Sequence, residues 1–333
     1  MKNIVGILTL VFIISSCENF MFEDDLASKD PRENFDYLWN ECNEKFSYFD
    51  VKNIDWDDIK VKYSQKIYEG MTQDSLFNVL AAMLDELKDG HTQLFSTFNA
   101  SFYGAYYTGQ DNFDWRIIED NYLHRDYYNT GPFRHSFISN NEIGYIYIPS
   151  FPEKVSDNIL DFIIDRYKNT KGLILDLREN QGGSPATVLK ILSRFVETKT
   201  LVGYSRIKSG PGHNEFSNLI PFYVTPYNNI RYTNKVAVLT DRATFSGGSY
   251  FSLFTRALPN MILIGDTTAG GLGAPNGGQL PNGWRYRFSV TQLLTPDKNP
   301  EYENGVPPDI QSLFDWNNLT KDEVIERALA ELQ

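Results

Sequence analysis

Four short apolar runs, at 143–149, 172–177, 236–239 and 261–265, constrain the fold of this chain most strongly. Each is too short for a buried helix and rich in Ile, Val and Leu, the signature of a strand buried on both faces. Between them, 157–168, 184–196 and 249–258 carry helical spacing. Strand and helix alternating in this way predict an α/β core with a substantial parallel sheet. The third strand runs into Thr240-Asp241-Arg242-Ala243-Thr244-Phe245-Ser246-Gly247-Gly248 and then a helix. A serine therefore stands on a sharp strand-to-helix turn. The glycines behind it leave backbone N–H groups free to face whatever approaches its oxygen. Such a turn suits an acyl-transfer nucleophile, although a purely structural turn would read the same way.

The second strand ends similarly, in Arg178-Glu179-Asn180-Gln181-Gly182-Gly183-Ser184. A glycine turn between strand and helix can cradle a phosphate or supply half of an oxyanion hole. A phosphate loop brings a lysine at set spacing, which this turn lacks, so the oxyanion reading gains. Asp176 and Arg178 read as structural, fixing the strand end.

Residues 32–97 read as helical. Leu76, Val79, Leu80, Met83, Leu84 and Leu87 form one stripe behind an acidic cap at Asp74, and Gly90 suits a left-handed stop. His91 follows at once. At a helix end the exposed carbonyls favour a protonated imidazole, which would make His91 a good proton acceptor. A surface or capping histidine is the plain alternative. Of the four histidines, His124 and His135 lie in an aromatic stretch and His213 in a glycine-rich loop, without such support.

The N-terminus reads as a targeting segment. A short basic start precedes the apolar residues 4–14, and Ile14-Ser15-Ser16-Cys17 resembles a bacterial lipoprotein cleavage box. An ordinary secretory signal with an incidental cysteine is the alternative. Residues 1–16 are then a signal peptide, Cys17 the lipidated residue and 17–31 an acidic tether. That leaves Cys42 without a partner, a buried free thiol rather than part of a disulfide framework. Two cysteines and four scattered histidines show no metal-ligand spacing, so no metal and no cofactor are expected. A formal net charge of −12 argues against nucleic acid as a partner.

Five segments occur together in order: Asp89-Gly90-His91-Thr92; Leu175 through Gly183; Thr244 through Gly248; Gly265-Asp266-Thr267-Thr268-Ala269-Gly270-Gly271; and Gly305-Val306-Pro307-Pro308-Asp309-Ile310. Over roughly 35–330 the chain resembles the tail-specific (C-terminal-processing) serine proteases, in their tricorn-core-like and interphotoreceptor-retinoid-binding-protein-like branch. The resemblance implies a crotonase/ClpP-like core over 142–333, closed by a C-terminal helix and preceded by a small helical domain at 32–97. Many relatives insert a peptide-binding PDZ domain. Residues 98–141 fall short of the ~50 residues at the lower end of domain size, so a few short strands are expected there instead. In the serine–lysine branch the base stands at the position of Gly271, so a serine–histidine arrangement is implied, with Ser246 as nucleophile and His91 as base. Gly247 and either Gly182 or Gly183 would hold the oxyanion. The branch also has a glutamate before the last motif, matching Glu303, with Glu301 as the alternative. The serine that links histidine and glutamate in that branch is replaced by Gly90, so the link is direct, through water or absent. The implied function is peptide-bond hydrolysis of extracytoplasmic proteins or peptides, by an enzyme held at the bacterial envelope, on its periplasmic side or outer surface, through Cys17. A catalytically silent ligand- or peptide-binding lipoprotein on the same scaffold is the rival reading.

Overall fold

The computed structural model describes residues 28–104 and 108–333. The expected signal peptide, Cys17 and most of the tether lie outside the described residues. The tether's last residues are already structural. Asp30 caps helix α1 (Pro31–Lys45) by accepting from the Glu33 N–H, and Ser28 N–H donates to the Pro281 carbonyl.

Helices α2 (Trp56–Ser64) and α3 (Gln73–Asp85) follow. The cap of α3 is Thr72 rather than Asp74, because the Thr72 hydroxyl reaches the Ser75 N–H and Asp74 lies inside the first turn. The three helices do not close a core by themselves. Phe35, Leu38, Phe46, Leu76 and Leu80 share one buried cluster with Trp284, Tyr286, Phe288 and Val290 from much later in the chain. Cys42 is a buried free thiol in that cluster, and burial pushes its pKa up.

Strands β1 (Gln93–Phe95) and β2 (Ala100–Phe102) lead to a short helical stretch at 115–123, then to β3 (Tyr128–Thr130) and β4 (Phe133–Ile138). The core begins with β5 (Ile143–Tyr147), α4 (Asp157–Tyr167), β6 (Gly172–Asp176) and α5 (Pro185–Leu192). Next come β7 (Thr200–Ile207), β8 (Ile220–Val224), β9 (Lys235–Thr240), α6 (Gly247–Thr255) and β10 (Met261–Gly265). The chain ends with β11 (Pro275–Gln279), β12 (Arg285–Ser289), β13 (Thr291–Leu294), β14 (Ile310–Gln311) and α7 (Glu323–Leu332).

Among the described residues the main sheet has seven strands in the order β14-β10-β9-β6-β5-β4-β3. The strands from β14 to β5 are parallel, as alternation with helices predicts, and β4 and β3 add antiparallel at one edge. The aromatic stretch before the core is thus partly absorbed into the core sheet. It also supports a histidine: His135, in β4, is buried between the Tyr167 hydroxyl and the Thr130 hydroxyl, each 2.8 Å away. A second sheet, β11-β12-β1-β2, is antiparallel and joins the helical front to the chain's C-terminal third. Strands β13, β7 and β8 form a third sheet. None of the described helices is long and apolar enough to cross a membrane.

Candidate active site

Two turns at the carboxyl ends of neighbouring parallel strands, β6 and β9, build the centre of the site, where open α/β sheets present their ligands. After β9, Asp241 is buried and accepts from the N–H groups of Glu179 and Ala243. The Phe245 N–H donates to Asn180 O at 2.8 Å, tying the two turns together. The Ser246 N–H donates to Gly270 O. Held this way, Ser246 has φ 52° and ψ −115°, a backbone state that only glycine adopts freely. The strain lifts Oγ out of the turn at the start of α6, as a nucleophile elbow does.

After β6, the Gly182 N–H is committed to the Asn180 side chain at 2.8 Å, and Asn180 Nδ2 is itself fixed on Ile148 O at 2.7 Å. Among the described residues neither the Gly183 nor the Gly247 N–H has a hydrogen-bond acceptor. The two turns are in close contact: a Cβ on Gly247 would stand 2.8 Å from the Gly183 nitrogen, and one on Gly182 would stand 2.7 Å from Ser246 Cβ. Of the two glycines read as alternatives, Gly183 is therefore the one with a donor to spare.

His91 arrives from the second sheet. Helix α3 stops at Asp85, and Lys88, with φ 50°, makes the left-handed turn assigned to Gly90. His91 stands well past the last helical turn, where the helix end no longer acts on it. Its Nε2 is 3.1 Å from Ser246 Oγ. The ring packs on Phe245 with centroids 4.8 Å apart. Burial lowers the imidazole pKa; Asp89 pulls it up, while Arg287 and Lys52 push it down further. The expected preference for the protonated ring is thus reversed: His91 rests neutral.

Behind the ring, Nδ1 is 3.4 Å from Ser289 Oγ and 3.9 Å from Asp89 Oδ1. Asp89 is fully buried and accepts from the His91 backbone N–H at 3.0 Å, from the Ser289 backbone N–H at 2.9 Å and from the Ser289 hydroxyl at 3.1 Å. Sequence reasoning gave neither residue a role. Asp89 stood in the quoted motif two residues before the histidine. Ser289 is distant in the chain and had no local signal.

Glu303 stands elsewhere. It is buried; Oε2 accepts from the Leu272 N–H at 2.7 Å, and Oε1 is 3.6 Å from Lys52 Nζ. Burial raises its pKa to about 7, with Lys52 opposing and Asp89 adding to the rise. The carboxylate at ion-pair distance from the imidazole is that of Asp89, and of the links left open for Glu303 a direct one to His91 is absent. Glu301, the other candidate, is exposed and receives the Asn299 amide.

The position of Gly271 leaves no room for a lysine beside Ser246. Its φ is 71°, and a Cβ there would lie 2.2 Å from Phe245 Cε2, in the ring that packs on His91. No group of three or more metal-ligating side chains occurs among the described residues. Asp176 and Arg178 pair in full burial at 2.6 Å, at the strand end.

The comparison with known proteins matches residues 142–312 to the model of peptidase family S41. The chain belongs to that family. Its residues 27–85 match the tricorn protease C1 domain. This S41 chain is 38% identical to a Parabacteroides merdae protein assigned as a peptidase, over 92% of this chain and 97% of that one, with a TM-score of 0.87. It is 25% identical over 179 residues to the carboxy-terminal processing protease CtpA of Bacillus subtilis. That match covers 54% of this chain but only 36% of the relative. Mature CPAF complexed with lactacystin shares the fold at a TM-score of 0.68 and 13% identity, over 91% of this chain and 97% of that one.

Proposed function

We propose that this chain hydrolyses peptide bonds of extracytoplasmic proteins or peptides through Ser246 and His91, and that Cys17 anchors it to the envelope membrane by a lipid. The observation that carries the catalytic part is the 3.1 Å separation of His91 Nε2 and Ser246 Oγ, with the serine on a strained turn. The relatives' names, carboxy-terminal processing proteases, agree with a peptide substrate.

The ring is neutral, with Nδ1–H toward Ser289 Oγ and a lone pair on Nε2 toward Ser246. Ser246 Oγ attacks the amide carbonyl carbon as its proton passes to Nε2. The carbonyl π electrons move onto oxygen, which accepts from the Gly183 and Gly247 N–H groups. One such donor is worth about 10²–10³ in rate. The imidazolium is stabilised through Ser289 and by Asp89. When the tetrahedral adduct collapses, the C–N bond breaks and the amine takes the proton from Nε2. Water then gives a proton to His91 as its oxygen attacks the acyl carbon; the acyl–Oγ bond breaks, Ser246 Oγ takes that proton back from Nε2, and the acid leaves. Glu303 touches neither reacting atom nor the imidazole. It fixes Leu272, next to the Gly270 and Gly271 turn that holds the Ser246 N–H.

One labelling experiment tests both parts. Cells expressing the full chain are treated with a serine-directed phosphonate, fractionated, and assayed for cleavage of a quenched peptide. The wild type is expected to label in the membrane fraction and to cleave. Ser246→Ala should do neither, and Cys17→Ser should label in the soluble fraction. Equal cleavage by Ser246→Ala would sink the catalytic reading, and membrane retention of Cys17→Ser would sink the anchor.

A further inference from the structure

The helical front sends one charged side chain toward the catalytic core, and no step of the proposed mechanism uses it. Lys52 closes the single helical turn Phe49–Lys52, between α1 and α2. That turn is held at both ends. The Lys52 N–H donates to Tyr48 O at 3.0 Å, and Asn53, with φ 51°, reverses the chain behind it. The Phe49 ring is buried, with its centroid 4.9 Å from that of Phe46 and 5.6 Å from that of Trp56. The lysine side chain is 4 % exposed. Lysine is seldom buried, because its ammonium must exchange water for fixed acceptors.

The acceptors that replace water belong to two separate stretches of chain. Lys88 O is 2.8 Å from Nζ, Asn304 Oδ1 is 3.0 Å away and Glu303 Oε1 is 3.6 Å away. Lys88, with φ 50°, makes the left-handed turn that leads into Asp89 and His91. Asp89 then fixes the His91 backbone N–H at 3.0 Å. Glu303 and Asn304 belong instead to the support of the nucleophile. Glu303 O accepts from the Gly271 N–H at 3.1 Å, and Oε2 accepts from the Leu272 N–H at 2.7 Å. The packing there is close, since a Cβ on Gly270 would stand 1.9 Å from Glu303 O. Gly270 O in turn takes the Ser246 N–H at 2.9 Å.

One ammonium therefore stands between the arm that carries the base and the arm that supports the nucleophile. Another polar tie between the two is the Ser289 hydroxyl, which is 3.1 Å from Asp89 Oδ1 and 3.1 Å from Gly273 O. A single tie leaves two arms free to pivot about it, and a second tie stops the pivot.

We propose that Lys52 is a positioning residue whose ammonium clamps the Lys88–His91 turn to the Glu303–Asn304 segment, and so holds His91 Nε2 within reach of Ser246 Oγ. This rests on the Ser246–His91 reading. It also gives the helical front a part in the reaction, since the parallel core carries the nucleophile but not the clamp. The hydrogen bonds of Lys52 go to neither reacting side chain, so it acts through their geometry. A displacement of ~1 Å between reacting groups lowers the rate on the order of 10²-fold. A residue that only aligns the reacting groups lowers kcat and kcat/KM equally and leaves KM unchanged.

The test uses the full chain in detergent and the quenched peptide. The end point of phosphonate labelling counts active sites, so unfolded protein drops out of kcat. Lys52→Met keeps an unbranched chain of similar length without donor or charge. It is expected to lose about tenfold to a hundredfold in kcat per labelled site, with KM within about twofold of the wild type. Lys52→Arg still donates to both stretches and should recover a large part of that loss. Asn304→Ala removes one bond of the clamp at an exposed residue and leaves the ammonium in place. It should lose about threefold to tenfold in kcat, again at constant KM. Wild-type kcat per labelled site in Lys52→Met, a loss confined to KM, or an arginine variant no better than the methionine one would overturn the clamp alone. If Lys52→Met leaves no protein that labels, Asn304→Ala decides: wild-type kcat there overturns the clamp, and a loss at constant KM sustains it. Absence of labelling and cleavage in the wild type would overturn the catalytic reading, and the clamp with it.

Discussion

At the scale of single residues, the site is set by what each position excludes. Gly182, Gly183 and Gly271 all have positive φ and no room for a Cβ, and such positions are legible in a sequence because only glycine satisfies them. Ser246 and His91 were legible for the same reason, each being marked by its glycine-bearing motif. Ser289 was not, because a serine at a strand end has no signature until the sheet brings it beside the ring. The reading of the imidazole's charge failed because desolvation outweighs a helix end that stops several residues earlier. This has a kinetic consequence. In the proposed mechanism the neutral His91 is the active form, and burial holds its pKa below the ordinary 6.5. The acid limb of kcat/KM should therefore fall at a pH below 6.5. Asp89 raises the imidazole pKa, so Asp89→Asn should move the limb further down and lower kcat, as the imidazolium loses its nearest negative charge. A limb at or above 6.5 in the wild type, or an upward shift in Asp89→Asn, would contradict the assignment.

At the scale of elements, period and glycine turns located the strands and helices of the core, while caps and ends differed. Thr72 replaced Asp74 at the start of α3, because which of two neighbouring polar residues takes the cap depends on backbone entry. The strand ends at 176–178 were read as structural, and their partner was not foreseeable: Arg178 Nη1 donates to Asp322 Oδ2 at 2.8 Å, in full burial. Asp322 also caps α7, with Oδ1 accepting from the Val324 and Ile325 N–H groups. One carboxylate thus joins β6 to the last helix. Arg178 keeps Asp176, so removing Asp322 takes away one charge-assisted hydrogen bond, about 1.5–3 kcal/mol, and the α7 cap, about 0.5–2 kcal/mol. Asp322→Ala should lose that much in a urea titration with an unchanged slope. Asp322→Asn also removes the charge but keeps a good cap and should lose less, the difference reporting the cap. Equal losses for the two variants would place the whole effect in the pair with Arg178.

At the scale of the molecule, the helical front and the core meet across a buried ion pair. Lys52, from the turn after α1, reaches Glu303 in the C-terminal third, and the same ammonium donates to Lys88 O at 2.8 Å and to Asn304 Oδ1 at 3.0 Å. Motif order revealed that distant segments belong together. It could not reveal this pairing, since Lys52 carries no motif. The pair makes the assembly pH-dependent. Burial raises the Glu303 carboxyl from 4.5 to about 7. Between these values the folded state binds more protons than the unfolded chain, so this group's contribution to stability declines as pH rises and is fully lost above about 7. Glu303→Gln abolishes the titration. It leaves Lys52 with its carbonyl and amide acceptors, which shifts stability by an amount that does not vary with the Glu303 charge. The melting temperature of the variant minus that of the wild type should therefore climb between pH 5 and pH 7.5, whatever its starting value. A difference that stays flat would mean that Glu303 is ionised throughout, and that Lys52 and the Leu272 N–H outweigh its burial.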